Sequence, residues 1–132
     1  MILMGYDKKY TENYEAALKL FEENKFNSCV NRLYYSMFTL VLDKIEQLGD
    51  GDKVRDVIKK IPNKHKFTTD YLFDNLLKNK IEQKDYISLT TSIEAVKVAR
   101  HKADYSSKCI TEKNARSVLR HGERFREILN KF

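Results

Sequence analysis

The sequence predicts an all-α fold, a bundle of helices forming one domain over residues 1–132. Three observations carry this expectation. Apolar residues recur at spacings of three and four along most of the chain, the signature of amphipathic helices. One Pro and four Gly leave long stretches unbroken, which favours helices over strands and tight turns. A composition 42% hydrophobic and 33% charged supplies both a core and a solvated exterior. We expect a helical bundle with short connections.

The first helix is expected over about Tyr6–Glu23, with Tyr6, Tyr10, Tyr14, Ala17, Leu18 and Phe21 forming its inward stripe. The second is expected over about Asn27–Leu48. Its apolar residues cover nearly half the circumference, from Phe26, Val30 and Leu33 to Met37, Val41 and Leu48. A stripe that wide belongs to a central helix with several neighbours. Gly49-Asp-Gly51 provides turn chemistry that stops it.

Asp52–Ile61 holds a short helix closed by Pro62, and a basic loop follows over Pro62–Lys66. Thr68 or Thr69 is the expected cap of a third main helix reaching about Lys78, with Tyr71, Leu72, Leu76 and Leu77 facing inward. The fourth runs from about Gln83 to Ser107. Thr111 caps the fifth, which places Val118, Leu119, Gly122, Phe125, Leu129 and Phe132 on one face. Lys113, Arg116, Arg120 and Arg124 occupy the opposite face.

Charge and cysteine usage bound the function. The formal net charge is +6, and residues 100–132 alone carry 9 basic and 4 acidic residues. Such an excess fits a polyanionic partner, RNA among them. No apolar run approaches the roughly 20 residues of a membrane span, and Met1–Gly5 is too short for a signal peptide. We therefore expect a cytoplasmic protein without a membrane partner. Cys29 and Cys109 follow no metal spacing, and Cys29 falls on the apolar side of its helix, as a buried free thiol does. The three histidines form no zinc pattern, so no metal and no cofactor are expected.

The most informative position is Arg100. On the fourth helix Tyr86, Leu89, Ile93, Val96 and Ala103 share one face, with Arg100 near its centre and Asp104 one turn on. A charge on an apolar stripe is costly unless paired. An exposed i,i+4 pair would satisfy itself on the surface; this position points instead to phosphate binding or to a dimer interface. Asn31-Arg-Leu-Tyr-Tyr35 lies on the second helix, with Leu33 in the core and Tyr34 at the edge of the apolar arc. His65 sits in the basic loop, where a surface histidine is the default. His101 turns about 100° away from Arg100 and faces solvent. No histidine has a nucleophile or carboxylate at a diagnostic spacing.

Taken in order, these features resemble the HEPN domain. The resemblance rests on Glu15-Ala-Ala17, the break Asn24-Lys-Phe-Asn27, Arg32-Leu-Tyr-Tyr-Ser-Met-Phe38, His65, Ala99-Arg-His-Lys-Ala-Asp-Tyr105, and a last helix opened by Thr111-Glu112 with Ala115. It covers nearly the whole chain. It implies a small all-α, antiparallel four-helix bundle with an additional helix, a homodimer, and RNA or nucleotide bound in the cleft between protomers. Many members are metal-independent ribonucleases of toxin–antitoxin or phage-defence systems. Their hallmark is an arginine followed after about four to six residues by a histidine. Arg100 matches the arginine, but the window after it holds Tyr105, Ser106 and Ser107. The chain is similar to the branch that carries Ala-Asp-Tyr there and often accompanies a small nucleotidyltransferase. In that branch a non-catalytic module partnering the nucleotidyltransferase is the alternative function. The resemblance makes Arg100 and Asp104, with His65 as the acid or base, the catalytic set, and Arg32, Tyr34, Arg100 and Tyr105 the RNA- or nucleotide-binding set. In some paired systems the nucleotidyltransferase adenylylates a tyrosine near the arginine; Tyr105 matches that position.

Overall fold

The structure, a computed structural model, describes residues 5–132. Among these residues it contains six α-helices, one π-helical segment and no strand, arranged as a helical bundle. The helices are α1 (Tyr6–Glu22), α2 (Phe26–Gln47), α3 (Gly51–Ile58), α4 (Lys64–Asp70), α5 (Gln83–Tyr105) and α6 (Glu112–Leu129). Central α2 packs against α1, α5 and α6, and also touches α3 and α4. Eleven of its residues are buried, from Cys29 to Ile45, as the wide stripe predicts.

Helix ends follow local chemistry. Asn24 adopts φ +62° just after α1, and Gly49 adopts φ +94° just after α2. Both close the same motif. Lys25 N–H donates to Leu20 O at 2.9 Å, and Asp50 N–H donates to Ile45 O at 3.1 Å. The left-handed residue thus satisfies carbonyls that a helix end leaves unpaired. At the start of α6 the Thr111 hydroxyl accepts from Asn114 N–H at 3.1 Å, the expected cap.

Three expectations are corrected. Leu18 is 40% exposed, because it lies about 100° from buried Ala17 on α1; Leu20 packs against the core in its place. The third main helix begins at Lys64, with Asn63 at the cap position. Thr68 and Thr69 are not caps; their hydroxyls donate back to Lys64 O at 2.6 Å and His65 O at 3.0 Å, a mid-helix use of the side chain. Finally, Tyr71–Leu76 is π-helical. Leu77 N–H donates to Leu72 O at 2.9 Å, which brings Leu77 over Leu72 and sends Phe73 into the core at 2% exposure.

Phe73 meets the Phe125 ring of α6 at 6.2 Å and the Tyr86 ring of α5 at 6.3 Å between centroids. This aromatic group ties the π segment to α5 and α6. On the other side of the bundle, the Arg126 guanidinium lies 4.5 Å over the Tyr14 ring, and that of Arg116 lies 5.1 Å over Phe21. Arg116 stays on the exposed basic face of α6 while its guanidinium also reaches over the edge of α1. Cys29 is fully buried, and burial pushes its thiol up to about 11; Cys109 is exposed. No helix among the described residues is long and apolar enough to cross a membrane.

Candidate functional site

Three helices place their side chains around Arg100. From α2 come Asn31, Tyr34, Tyr35 and Phe38, on successive turns of the face that looks toward α5 and α4. From the first turn of α4 comes His65. From α5 come Lys97, Arg100 and Asp104, spaced so that one helix face presents them together.

Arg100 does not reach into solvent. Its side chain is 19% exposed, and its guanidinium carbon lies 5.0 Å over the Tyr34 ring and 5.4 Å over the Tyr35 ring. One Nη2 donates to the Tyr35 hydroxyl at 3.4 Å. Nε lies 3.3 Å from Asp104 Oδ2, within ion-pair range. That N–H is not aligned on the carboxylate, so buried Nε has no hydrogen-bond partner. Asp104 is held by Asn31, whose Nδ2 donates to its two oxygens at 3.3 and 3.1 Å. The arginine is thus flattened on two aromatic faces while its carboxylate is fixed from a second helix. Among the described residues Nη1 makes no hydrogen bond, and a guanidinium held in this way can receive an anion there.

His65 is not on a surface loop. Its ring packs 4.2 Å from that of Phe38 between centroids, and Nδ1 lies 3.0 Å from the Tyr34 hydroxyl. Tyr34 is 3% exposed. Burial pushes the Tyr34 phenol up, against the pull of Arg100. The pair shares one hydrogen bond, donated by the phenol or by the ring N–H according to the histidine tautomer. His65 itself is held below the usual histidine range, first by burial and then by the charges of Arg100, Lys64 and Lys97. It is therefore neutral at pH 7 and surrounded by cations.

The shift has a consequence for stability. Unfolded His65 titrates near ~6.5, and the folded ring takes its proton only at lower pH. The unfolded chain then binds more protons as pH drops below ~6.5, so this contribution to stability is complete above ~6.5 and is lost progressively down to the folded value. In urea unfolding, wild type should lose more stability between about pH 7.5 and pH 5 than a His65→Gln variant. Equal losses in the two proteins would contradict the assignment.

Two adjoining hollows open at this place and share Tyr34, His65, Lys66 and Lys97 as a common wall. One, of about 220 Å³, adds Lys64 and Arg100. The other, of about 180 Å³, runs along α5 over Tyr86, Ile93 and Glu94.

The residues expected at a site divide into two groups. Arg100, Asp104, Tyr34 and His65 form one connected cluster. Arg32 and Tyr105 stand outside it: Arg32 is exposed and donates to Asn13 Oδ1 of α1 at 3.3 Å, and Tyr105, 70% exposed, stacks against His101 at 4.9 Å. Tyr105 leaves Arg100 because it is about 140° round the helix. Sequence reasoning missed Asn31 as the partner of Asp104, Phe38 as the bed of His65, and Lys64 and Lys97 as its neighbours. Among the described residues no group of three or more His, Cys, Asp or Glu side chains is placed to hold a metal ion. Comparison with protein-family models, curated proteins and solved structures finds no match for this chain.

Proposed function

We propose that the chain is a HEPN-like protein that binds RNA or nucleotide through a phosphate held at Arg100 and His65, and that it works as a homodimer in a toxin–antitoxin or phage-defence setting. One observation carries the reading. A histidine that local sequence assigns to a surface loop is packed beside the stripe arginine, among Lys64 and Lys97, at the mouth of a hollow. Cations in a partly desolvated cleft concentrate a phosphate strongly.

The same groups can support metal-independent strand cleavage. In the tautomer that donates Nδ1–H to the Tyr34 hydroxyl, neutral imidazole takes the proton of the ribose 2′-hydroxyl at Nε2, the 2′ oxygen attacks phosphorus, and the bond to the 5′ oxygen breaks. That oxygen leaves as an alcohol once protonated by water or by a second protomer. Arg100 and Lys97 would stabilise the charge gathered on the phosphoryl oxygens. In an RNA cleavage gel run with EDTA, wild type should cut and His65→Gln should fall by about a hundredfold or more, the usual worth of a positioned acid–base group. Equal cutting by both proteins would remove His65 from the chemistry.

A second reading, a non-catalytic interaction module partnering a nucleotidyltransferase or a second copy, is favoured by a different face. Ile87, Val98 and Tyr105 are 54%, 60% and 70% exposed and fall within about 20° of one another on α5. Val98→Asp tests it by sedimentation: a dissociated species supports an interface there.

A further inference from the structure

We propose that the hollow next to the cation cluster is a base subsite, and that it takes cytosine. The proposal rests on the reading that RNA phosphate binds at Arg100 and His65, and it adds which nucleotide is preferred there.

Size comes first. The hollow has a volume of about 180 Å³. An apolar cavity of roughly 150 Å³ holds benzene, so this one suits a six-membered ring with small substituents and is cramped for a purine. Its position comes next. It shares the wall Tyr34–His65–Lys66–Lys97 with the hollow that contains Arg100. A strand whose phosphate lies on Arg100 can therefore turn one base into it. The floor is aromatic and apolar: Phe73, brought inward by the π segment, stands edge-on to the Tyr86 ring at 6.3 Å, with Ile93 beside them. The partly exposed Tyr86 ring, backed by buried Phe73, offers a face on which a base stacks without regard to its identity.

Identity comes from the rim. Glu94 and Lys97 lie one turn apart on α5 and both face the hollow. Among the described residues neither takes part in an ion pair, with each other or with a third group. The rim therefore offers one free acceptor and one free donor. Lys66, by contrast, is tied to Asp70 at 2.6 Å. The Tyr86 hydroxyl is tied to Asp74 at 3.1 Å, and the Thr90 hydroxyl donates to its own helix. Cytosine matches the free pair. Its exocyclic amine donates to the Glu94 carboxylate, the pairing acidic side chains make with that group, and its ring carbonyl accepts from Lys97. Uracil presents a carbonyl oxygen where cytosine has the amine, and that oxygen would meet the Glu94 carboxylate with no proton between them.

The test compares three labelled RNA 10-mers, all-C, all-U and all-A, by anisotropy against wild type, Glu94→Gln and Arg100→Ala. Wild type should bind all-C about tenfold more tightly than all-U and more tightly than all-A. In Glu94→Gln, whose amide can donate as well as accept, the C-over-U preference should fall to about one, chiefly because all-U binds more tightly than it does to wild type. Glu94 is exposed, so the substitution leaves the core untouched. Equal binding of the three RNAs by wild type overturns the subsite. A preference unchanged in Glu94→Gln, or tightest binding of all-A, does the same. If the RNAs bind equally and Arg100→Ala weakens all of them, only the base subsite has failed. If none binds wild type, the phosphate reading has failed with it.

Discussion

Arg100→Ala should weaken RNA binding by about ten- to hundredfold. The substitution removes a guanidinium that offers charge-assisted hydrogen bonds, each worth roughly 1.5–3 kcal/mol when the partner is ionised. In this fold the arginine is already placed: two tyrosine rings lie beneath it, and Asp104, itself gripped by Asn31, sits behind it. Little side-chain freedom remains to be lost on binding, so more of the interaction appears as affinity. Asn31→Ala should reproduce part of the loss without removing any cation, because Asp104 would then be free to turn onto Nε. Anisotropy with a short single-stranded RNA reads both effects. Affinity unchanged in Arg100→Ala would place binding elsewhere, with the exposed Lys113–Arg124 face of α6 as the next location.

Phe125→Ala should cost about 3–5 kcal/mol of stability, a large share of the roughly 5–15 kcal/mol that holds a domain folded. Phe125 has no exposed surface and meets Phe73 at 6.2 Å. Truncation opens a cavity at the point where α6 and the π segment share one packing group, and neither can collapse into it freely. Gly122, one turn earlier, adds a reason: a Cβ there would stand 2.7 Å from a methyl of fully buried Leu33. The α2–α6 interface is therefore already as close as side chains allow. Urea unfolding followed by circular dichroism measures the loss. A change under 1 kcal/mol would mean that this interface is not central to the fold.

The bundle was legible where one helix carries its own signal. The wide stripe of α2 announces a central helix, and Thr111 announces the start of α6. The i,i+4 spacing of Arg100 and Asp104 puts both on one face, whatever the fold. What stayed hidden depends on contacts between distant segments. Asn31 and Asp104 are 73 residues apart, and no spacing rule links them. His65 looked like a loop residue because Pro62–Lys66 is a basic run opened by a proline. Its burial comes from Phe38 and Tyr34 on α2. Phe73 was missed because a π turn changes which residues face inward, and apolar spacing was read with the α period.

The central claim is that phosphate binds beside His65, and the most direct test is the titration of that ring followed by nitrogen-15 NMR, with and without a saturating short RNA. Without RNA the ring should titrate below the usual histidine range, as burial and its cationic neighbours require. A bound phosphate brings an anion into that cluster and favours the protonated ring, so the titration should move up when RNA is present. RNA that binds while the His65 titration stays where it was would contradict the account.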